Sequence, residues 1–209
     1  MLAGGSGRRL AGPGKPELLV DGRRLIDTVL AACGSALVVV VSPPRAGLGD
    51  AVTVREDPPG GGPAAALATG IRALLEISAD RPADRFTAVL AADLPGISAS
   101  LLHRLGALLQ QTPSAAGALA LDPTGRRQLL VGVWRLEPLA AAARRRPDWS
   151  GLALSRLLAD LEVVELPARW LEVGDVDTAD DLARWRAAGP ETRSTPDRTA
   201  DPSAHPAGG

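Results

Sequence analysis

Residues 87–98 read TAVLAADLPGIS, and this stretch decides the fold. Thr87–Ala92 is a short, continuous apolar run. That is the pattern of a strand buried on both faces, and such strands belong to parallel sheets. The run ends at Asp93, and Pro95 follows in the turn. Ser98 is a good N-cap for a helix through about Gln111. A strand, a turn with a carboxylate and a helix make one α/β unit. Open sheets of such units bind ligands outside the carboxyl ends of their strands, which is where Asp93 stands.

The alternation continues on both sides. Ala36–Val41 and Val52–Arg55 read as strands. Pro63–Ile77 reads as a helix with Ala64, Leu67, Ile71, Leu74 and Leu75 on one face. Ala116–Leu121 and Leu129–Trp134 read as strands joined by Asp122-Pro123-Thr124-Gly125, whose residues suit a turn. Leu136–Arg145 and Leu152–Asp160 read as helices, Leu161–Leu166 as a strand. Asp177 or Thr178 caps a last helix through about Ala187. Together these predict an α/β sandwich with a mostly parallel sheet, in one domain over residues 1–188. Residues 189–209 are rich in Pro, Ala and Gly and carry no apolar periodicity, so a disordered tail is expected there, with His205 incidental.

Composition narrows the function. Lys and Arg number 23 against 24 Asp and Glu, a net charge of -1. No basic excess points to nucleic acid. No apolar stretch is long enough to span a bilayer and no signal-peptide pattern stands at the N-terminus, so no membrane partner and a cytoplasmic location are expected. Cys33 is alone, which excludes an internal disulfide; it reads as a small buried residue in an apolar helical run. No Ser-His-Asp set and no zinc-ligand spacing is present.

Residues 2–15 read LAGGSGRRLAGPGK. Glycines let backbone N–H groups approach a ligand, and successive N–H groups form an anion-binding nest. Arg8, Arg9 and Lys15 add positive charge. The segment therefore suits nucleotide phosphates. It is not a P-loop, because Pro16 follows Lys15, and it lacks the third glycine of a dinucleotide fingerprint.

Four segments in order resemble the MobA-like nucleotidyltransferases, nearest to their molybdenum cofactor guanylyltransferase branch. They are LAGG with Arg9 and Lys15-Pro16; Arg55-Glu56-Asp57 with Gly60-Gly61-Gly62-Pro63; Leu90-Ala91-Ala92-Asp93-Leu94-Pro95; and Asp175-Val176-Asp177-Thr178 with Asp181-Leu182. The resemblance covers about residues 2–187. It implies a Rossmann-like three-layer α/β/α sandwich of the nucleotide-diphospho-sugar transferase type. It also implies a Mg²⁺-dependent enzyme that moves GMP from GTP to molybdenum-molybdopterin and releases pyrophosphate, with other molybdenum cofactor biosynthesis proteins as partners. The resemblance departs at Ala11-Gly12-Pro13-Gly14-Lys15, where the family commonly has Gly-Gly-x-Asp-Lys, and at Gly7, where it has Ser. In this fold a buried strand leads into the glycine segment. Only Met1 and Leu2 stand in that place, and a GTG codon recorded as the start is the reading offered for this.

By this resemblance, Leu2, Ala3, Gly4, Gly5, Lys15, Asp57, Gly62 and Asp93 are the nucleotide-binding residues. Arg9, Lys15 and Asp93 are the catalytic set. Asp93 and Asp177 hold the metal, with Asp175 a weaker candidate. Arg127, Gln128 and Arg135 face the acceptor, whose phosphate suits arginine. The residues alone leave other readings open: Asp93 and Asp177 each also suit a helix cap, and Lys15 and Arg9 also suit exposed loop cations. By the resemblance, Gly4, which makes the segment LAGG rather than LAAG, favours guanine over cytosine, with transfer from CTP, a sugar-phosphate acceptor and a non-catalytic nucleotide-binding protein as the alternatives.

Overall fold

The computed structural model describes residues 1–4, 14–79 and 86–188. A short hairpin comes first, β1 (Leu19–Val20) and β2 (Arg23–Arg24). It turns at Asp21 and Gly22, both with positive φ (52° and 75°), as a tight two-residue hairpin turn requires. Helix α1 (Leu25–Ala32) follows, then β3 (Val39–Val41), β4 (Val52–Val54), α2 (Pro63–Ile77), β5 (Phe86–Leu90) and α3 (Ala99–Gln111). The chain continues through β6 (Gly117–Leu121), β7 (Arg127–Arg135), α4 (Leu136–Arg144), α5 (Leu154–Leu158) and β8 (Val163–Pro167). It closes with α6 (Trp170–Val173) and α7 (Ala179–Ala187).

Leu2 bridges Val41 on one side and Ala91 on the other, both in parallel. It thereby joins the parallel pair β3–β4 to the sheet ordered β5-β7-β6-β8. β6 and β8 pair in parallel, while β7 runs antiparallel to both β5 and β6. The expectation of a mostly parallel sheet holds, with β7 as the reversed strand. Helices cover both faces. Leu67 and Ile71 of α2, Leu139 of α4 and Leu157 of α5 pack with Val41, Val89, Leu119 and Trp134. On the other face Val29 of α1 and Leu101, Leu105 and Leu109 of α3 pack with Leu90, Ala118 and Val131. Each core side chain buried in this way contributes roughly 1.5–3 kcal/mol. With one Phe and no Tyr in the chain, aliphatic side chains carry most of that burial.

The periodicity of α2 gives its bounds correctly, and Ser98 caps α3 by accepting a hydrogen bond from the N–H of Leu101 at 3.2 Å. The strand expected over Ala36–Val41 is shorter, Val39–Val41. Cys33 is half-buried at the C-cap of α1 rather than inside the core. The strand expected ahead of the glycine segment is represented by Met1–Ala3. Below them, between β3 and β5, a cavity of about 920 Å³ is lined by Val39, Ala88, Leu67, Ile71, Leu102 and Gly106 among others. The tail expected over 189–209 lies outside the described residues.

Candidate active site

The site forms where the chain changes direction across the sheet. From Leu2 the strands run outward to β3 and β4, and then return to β5 on the other side. Such a switch point opens a crevice at the carboxyl ends of the strands. The N–H of Leu2 donates to Leu90 O at 2.8 Å, that of Ala92 to Leu2 O at 3.0 Å, and that of Ala3 to Val41 O at 2.9 Å. These bonds hold Leu2 and Ala3 between the two halves and deliver Gly4 into the crevice.

Asp93 lies three residues beyond the end of β5. The N–H of Val176 donates to the Asp93 carbonyl at 3.2 Å, which ties the β5 turn to the segment carrying Asp175 and Asp177. Gly96 allows this approach: a Cβ there would lie 1.8 Å from Leu171 O and 2.7 Å from the Trp185 ring. Trp170 and Trp185 stack at 4.7 Å between centroids and brace the same segment from below. The result is that Asp93, Asp175 and Asp177 each offer a carboxylate oxygen within 4.8 Å of the others.

The Asp177 side chain takes no part in capping α7. Thr178 caps α7, its hydroxyl accepting from the N–H of Asp181 at 3.1 Å, and the Asp181 carboxylate accepts from the N–H of Thr178 at 2.9 Å. The capping box is complete without the Asp177 side chain. That carboxylate instead accepts a hydrogen bond from Lys15 Nζ, which also lies 3.8 Å from Asp93 Oδ2. Lys15 opens a single 3₁₀ turn, Lys15–Glu17, anchored by buried Pro16. Burial, opposed in part by Lys15 and reinforced by the charges of Asp175 and Asp177, pushes the Asp93 carboxyl up to about 6. Three carboxylates around one lysine, with one acid reluctant to ionise, form a corner that favours a further cation. Mg²⁺ takes oxygen ligands and is commonly held by one or two carboxylates plus phosphates, so the donor set fits it.

Arg45, in the loop between β3 and β4, clasps both flanks of the glycine segment. Its Nη1 donates to Glu17 Oε1 at 2.8 Å and its Nη2 to Ala3 O at 3.3 Å. Sequence reasoning did not find this clasp, because the pair Arg45–Glu17 spans 28 positions and follows no local pattern. Arg9 and Gly5, both expected in the site, lie outside the described residues.

Asp57 is exposed in the loop after β4, and its bond to Pro58 is cis. Gly62, with φ of 89°, directs the chain into α2 with Pro63 at the first helical position. A residue with a Cβ would be strained there. The loop is pinned by the N–H of Gly151 donating to Gly61 O at 2.9 Å. The N-terminus of α2 therefore opens at the same edge of the sheet as Asp93.

The acceptor candidates are not brought together. Arg127 and Gln128 lie on β7 at the site end; Arg127 pairs with Glu165, and Gln128 Nε2 donates to Asp122 Oδ2 at 2.8 Å. Arg135 lies at the other end of β7, opposite Phe86. Its Nε and Nη2 donate to Ala115 O and Leu109 O, each at 3.0 Å. Because β7 is antiparallel to β5, its first residues lie at the site end and Arg135 lies at the opposite end.

A switch-point crevice with a glycine strand end, a lysine and clustered carboxylates is the build of a nucleotidyltransferase. The MobA-like NTP transferase domain matches residues 1–163, and the chain belongs to that family. Solved structures agree in fold. Molybdopterin-guanine dinucleotide biosynthesis protein A from Archaeoglobus fulgidus superposes with a TM-score of 0.67 at 20% identity, over 89% of this chain and 95% of that one. A nucleotidyl transferase from Methanothermobacter thermautotrophicus gives 0.64 at 21% identity, over 89% and 94%. A protein from Mycobacterium tuberculosis H37Rv gives 0.62 at 18% identity, over 90% and 96%. No curated protein matches the chain. Among the described residues, no helix is long and apolar enough to cross a membrane.

Proposed function

We propose that this nucleotidyltransferase moves GMP from GTP to the terminal phosphate of molybdenum-molybdopterin, in the cytoplasm and alongside other proteins of molybdenum cofactor biosynthesis. The observation that carries the reading is the cluster of Asp93, Asp175 and Asp177 facing Lys15 at the switch point, next to the strand end that delivers Gly4. The name of the Archaeoglobus neighbour agrees with this choice of reaction, and Gly4 in LAGG favours guanine.

Asp93 and Asp177 would hold Mg²⁺, with Asp175 in reserve at the rim. The metal, when bound, supplies charge neutralisation on the triphosphate. Lys15 moves its hydrogen bond from Asp177 to a phosphate oxygen as the nucleotide enters. Ala3, Gly4, Asp57 and Gly62 would line the base and ribose side; Gly5 and Arg9, outside the described residues, keep the nucleotide-binding and charge-balancing roles that the family resemblance implies. The acceptor phosphate oxygen attacks the α-phosphorus; the bond from that phosphorus to the bridging oxygen breaks, and pyrophosphate leaves with the electron pair. The attacking phosphate is already anionic, so no general base is required. Catalysis rests on positioning and on charge neutralisation. Arg127 and Gln128 meet the acceptor at the site end of β7. Arg135, held by two backbone carbonyls at the far edge, has a structural part.

The test is pyrophosphate release with molybdenum-molybdopterin and Mg²⁺, comparing GTP with CTP. GTP-selective release supports the reading. Release with CTP alone moves the protein to cytidylyl transfer, and release with a sugar phosphate alone changes the acceptor. Nucleotide binding with no release under any pairing leaves a non-catalytic binder.

A further inference from the structure

Glu56 is half-buried, two residues beyond the end of β4, and its carboxylate reaches toward the strand end that enters the crevice. Its Oε1 accepts a hydrogen bond from the N–H of Gly60 at 3.2 Å and lies 3.7 Å from where a Cβ on Gly4 would stand. Its Oε2 is buried and has no hydrogen-bond partner among the described residues. A buried acceptor without a donor is costly, and such groups in native proteins call for an explanation.

The sheet order says which part of a nucleotide this carboxylate can meet. Asp93 follows β5, on one side of the Leu2–Gly4 strand end, and Lys15 lies against Asp93 and Asp177. Those groups set the phosphate end of the crevice. Glu56 follows β4, the strand beyond β3, and so stands on the opposite side of the same strand end. A nucleotide laid across Gly4 with its phosphates at Lys15 brings its base toward Glu56. Gly4 has no side chain to come between them.

We propose that Glu56 is a specificity-determining residue that reads guanine, its carboxylate accepting from the N1–H and the N2 amino group of the base. This rests on the nucleotide reading given above. Guanine offers two adjacent donors on that edge. Cytosine offers one amino donor beside an acceptor nitrogen, and adenine likewise presents an acceptor at N1. A carboxylate has acceptors only, so the acceptor nitrogens of cytosine and adenine meet it with repulsion. A site built to bond particular donors rejects analogues that lack them, because its own polar group is then left unpaired.

The experiment is calorimetric titration of the wild-type chain and the near-isosteric Glu56→Gln variant with GTP, ITP and CTP in Mg²⁺. ITP keeps N1–H and lacks the amino group. For the wild type the expected order of affinity is GTP, then ITP, then CTP. Glu56→Gln is expected to weaken GTP by roughly ten- to a hundredfold, the range for a hydrogen bond to a charged group. It should leave CTP unchanged or tighter, so the GTP-to-CTP ratio collapses. A general structural defect would weaken both nucleotides alike, and the ratio isolates the specific effect. Glu56→Gln with the wild-type affinity and ratio overturns the proposal while the nucleotide reading stands, as does equal binding of GTP and ITP by the wild type. A wild-type chain that binds neither GTP nor CTP overturns the nucleotide reading, and this proposal with it.

Discussion

The acidic corner and the β6–β7 hairpin treat charge in opposite ways. At the corner, Asp93, Asp175 and Asp177 crowd together around Lys15, and burial makes the first of them hard to ionise. In the hairpin each candidate is matched: Arg127 with Glu165, Gln128 with Asp122, and Arg135 with the carbonyls of Leu109 and Ala115. Matched charges hold strands together. Crowded like charges cost stability unless a cation joins them, and such arrangements cluster at functional sites. The contrast separates polar side chains already matched within the fold from carboxylates whose mutual repulsion a cation would relieve.

The sharpest way to break that contrast is Asp93→Asn. Loss of a ligand that should contribute several kcal/mol of charge stabilisation predicts a fall in turnover of about a thousandfold. Fold, read by circular dichroism, should survive, since removing like-charge repulsion does not unfold a domain. Turnover within a few-fold of wild type would remove Asp93 from the metal.

Next in size is the close approach that builds the corner. Gly96→Ala places a Cβ 1.8 Å from Leu171 O, and overpacking of this kind costs about 1–3 kcal/mol. Gly106 in α3 is the control, because a Cβ there meets nothing within 4 Å. Gly106→Ala should stabilise by about 0.4–1 kcal/mol through the unfolded chain. Urea denaturation of both variants measures the pair. If both shift stability equally, the Gly96 contact does not constrain the turn.

A subtler effect comes from pH in the metal-free protein. The Asp93 carboxyl titrates at about 6 in the fold, against an ordinary 3.8 when the chain is unfolded. Between those values the folded state holds more protons than the unfolded one. Stability should therefore fall as pH rises from about 4 to about 6, and level off above it. Asp93→Asn should flatten this slope. An unchanged slope in that variant would assign the titration elsewhere.

The smallest effect belongs to the hairpin. Arg127 and Glu165 are both substantially exposed, and an exposed pair contributes about 0–1 kcal/mol. Arg127→Ala should leave the melting temperature nearly unchanged and raise the KM for the acceptor more than that for GTP. An equal rise in both would deny Arg127 an acceptor-side role.

The two regions also differ in how readily the sequence discloses them. TAVLAADLP marks Asp93, because the apolar run gives way there to a polar turn, although β5 itself ends at Leu90 and pairs along its length with the antiparallel β7. Thr178 and Asp181 announce α7 through local capping chemistry, and the segment before that cap carries Asp177. Other features need pairing across distance. Arg45 reaches Glu17 and Ala3 from another loop, and Glu56 becomes notable only when Gly4 is seen beside it. Arg135 is expected at the acceptor from the family resemblance of its segment and from its charge. Its place at the far edge follows from β7 running antiparallel, and only its strand partners reveal that. The β1–β2 hairpin is too short for alternation to show, and its positive-φ pair Asp21-Gly22 is the one local cue.

The corner of Asp93, Asp175, Asp177 and Lys15 should bind a nucleotide triphosphate together with a divalent cation. The most direct measurement is GTP affinity by calorimetry, with and without Mg²⁺, in the wild type and in Asp93→Asn. Mg²⁺ should tighten GTP binding to the wild type at least tenfold, a gain of about 1.4 kcal/mol, and leave Asp93→Asn unaffected. GTP binding that is indifferent to Mg²⁺ in the wild type, or equally enhanced by it in Asp93→Asn, would mean that this corner does not hold the cation with the nucleotide.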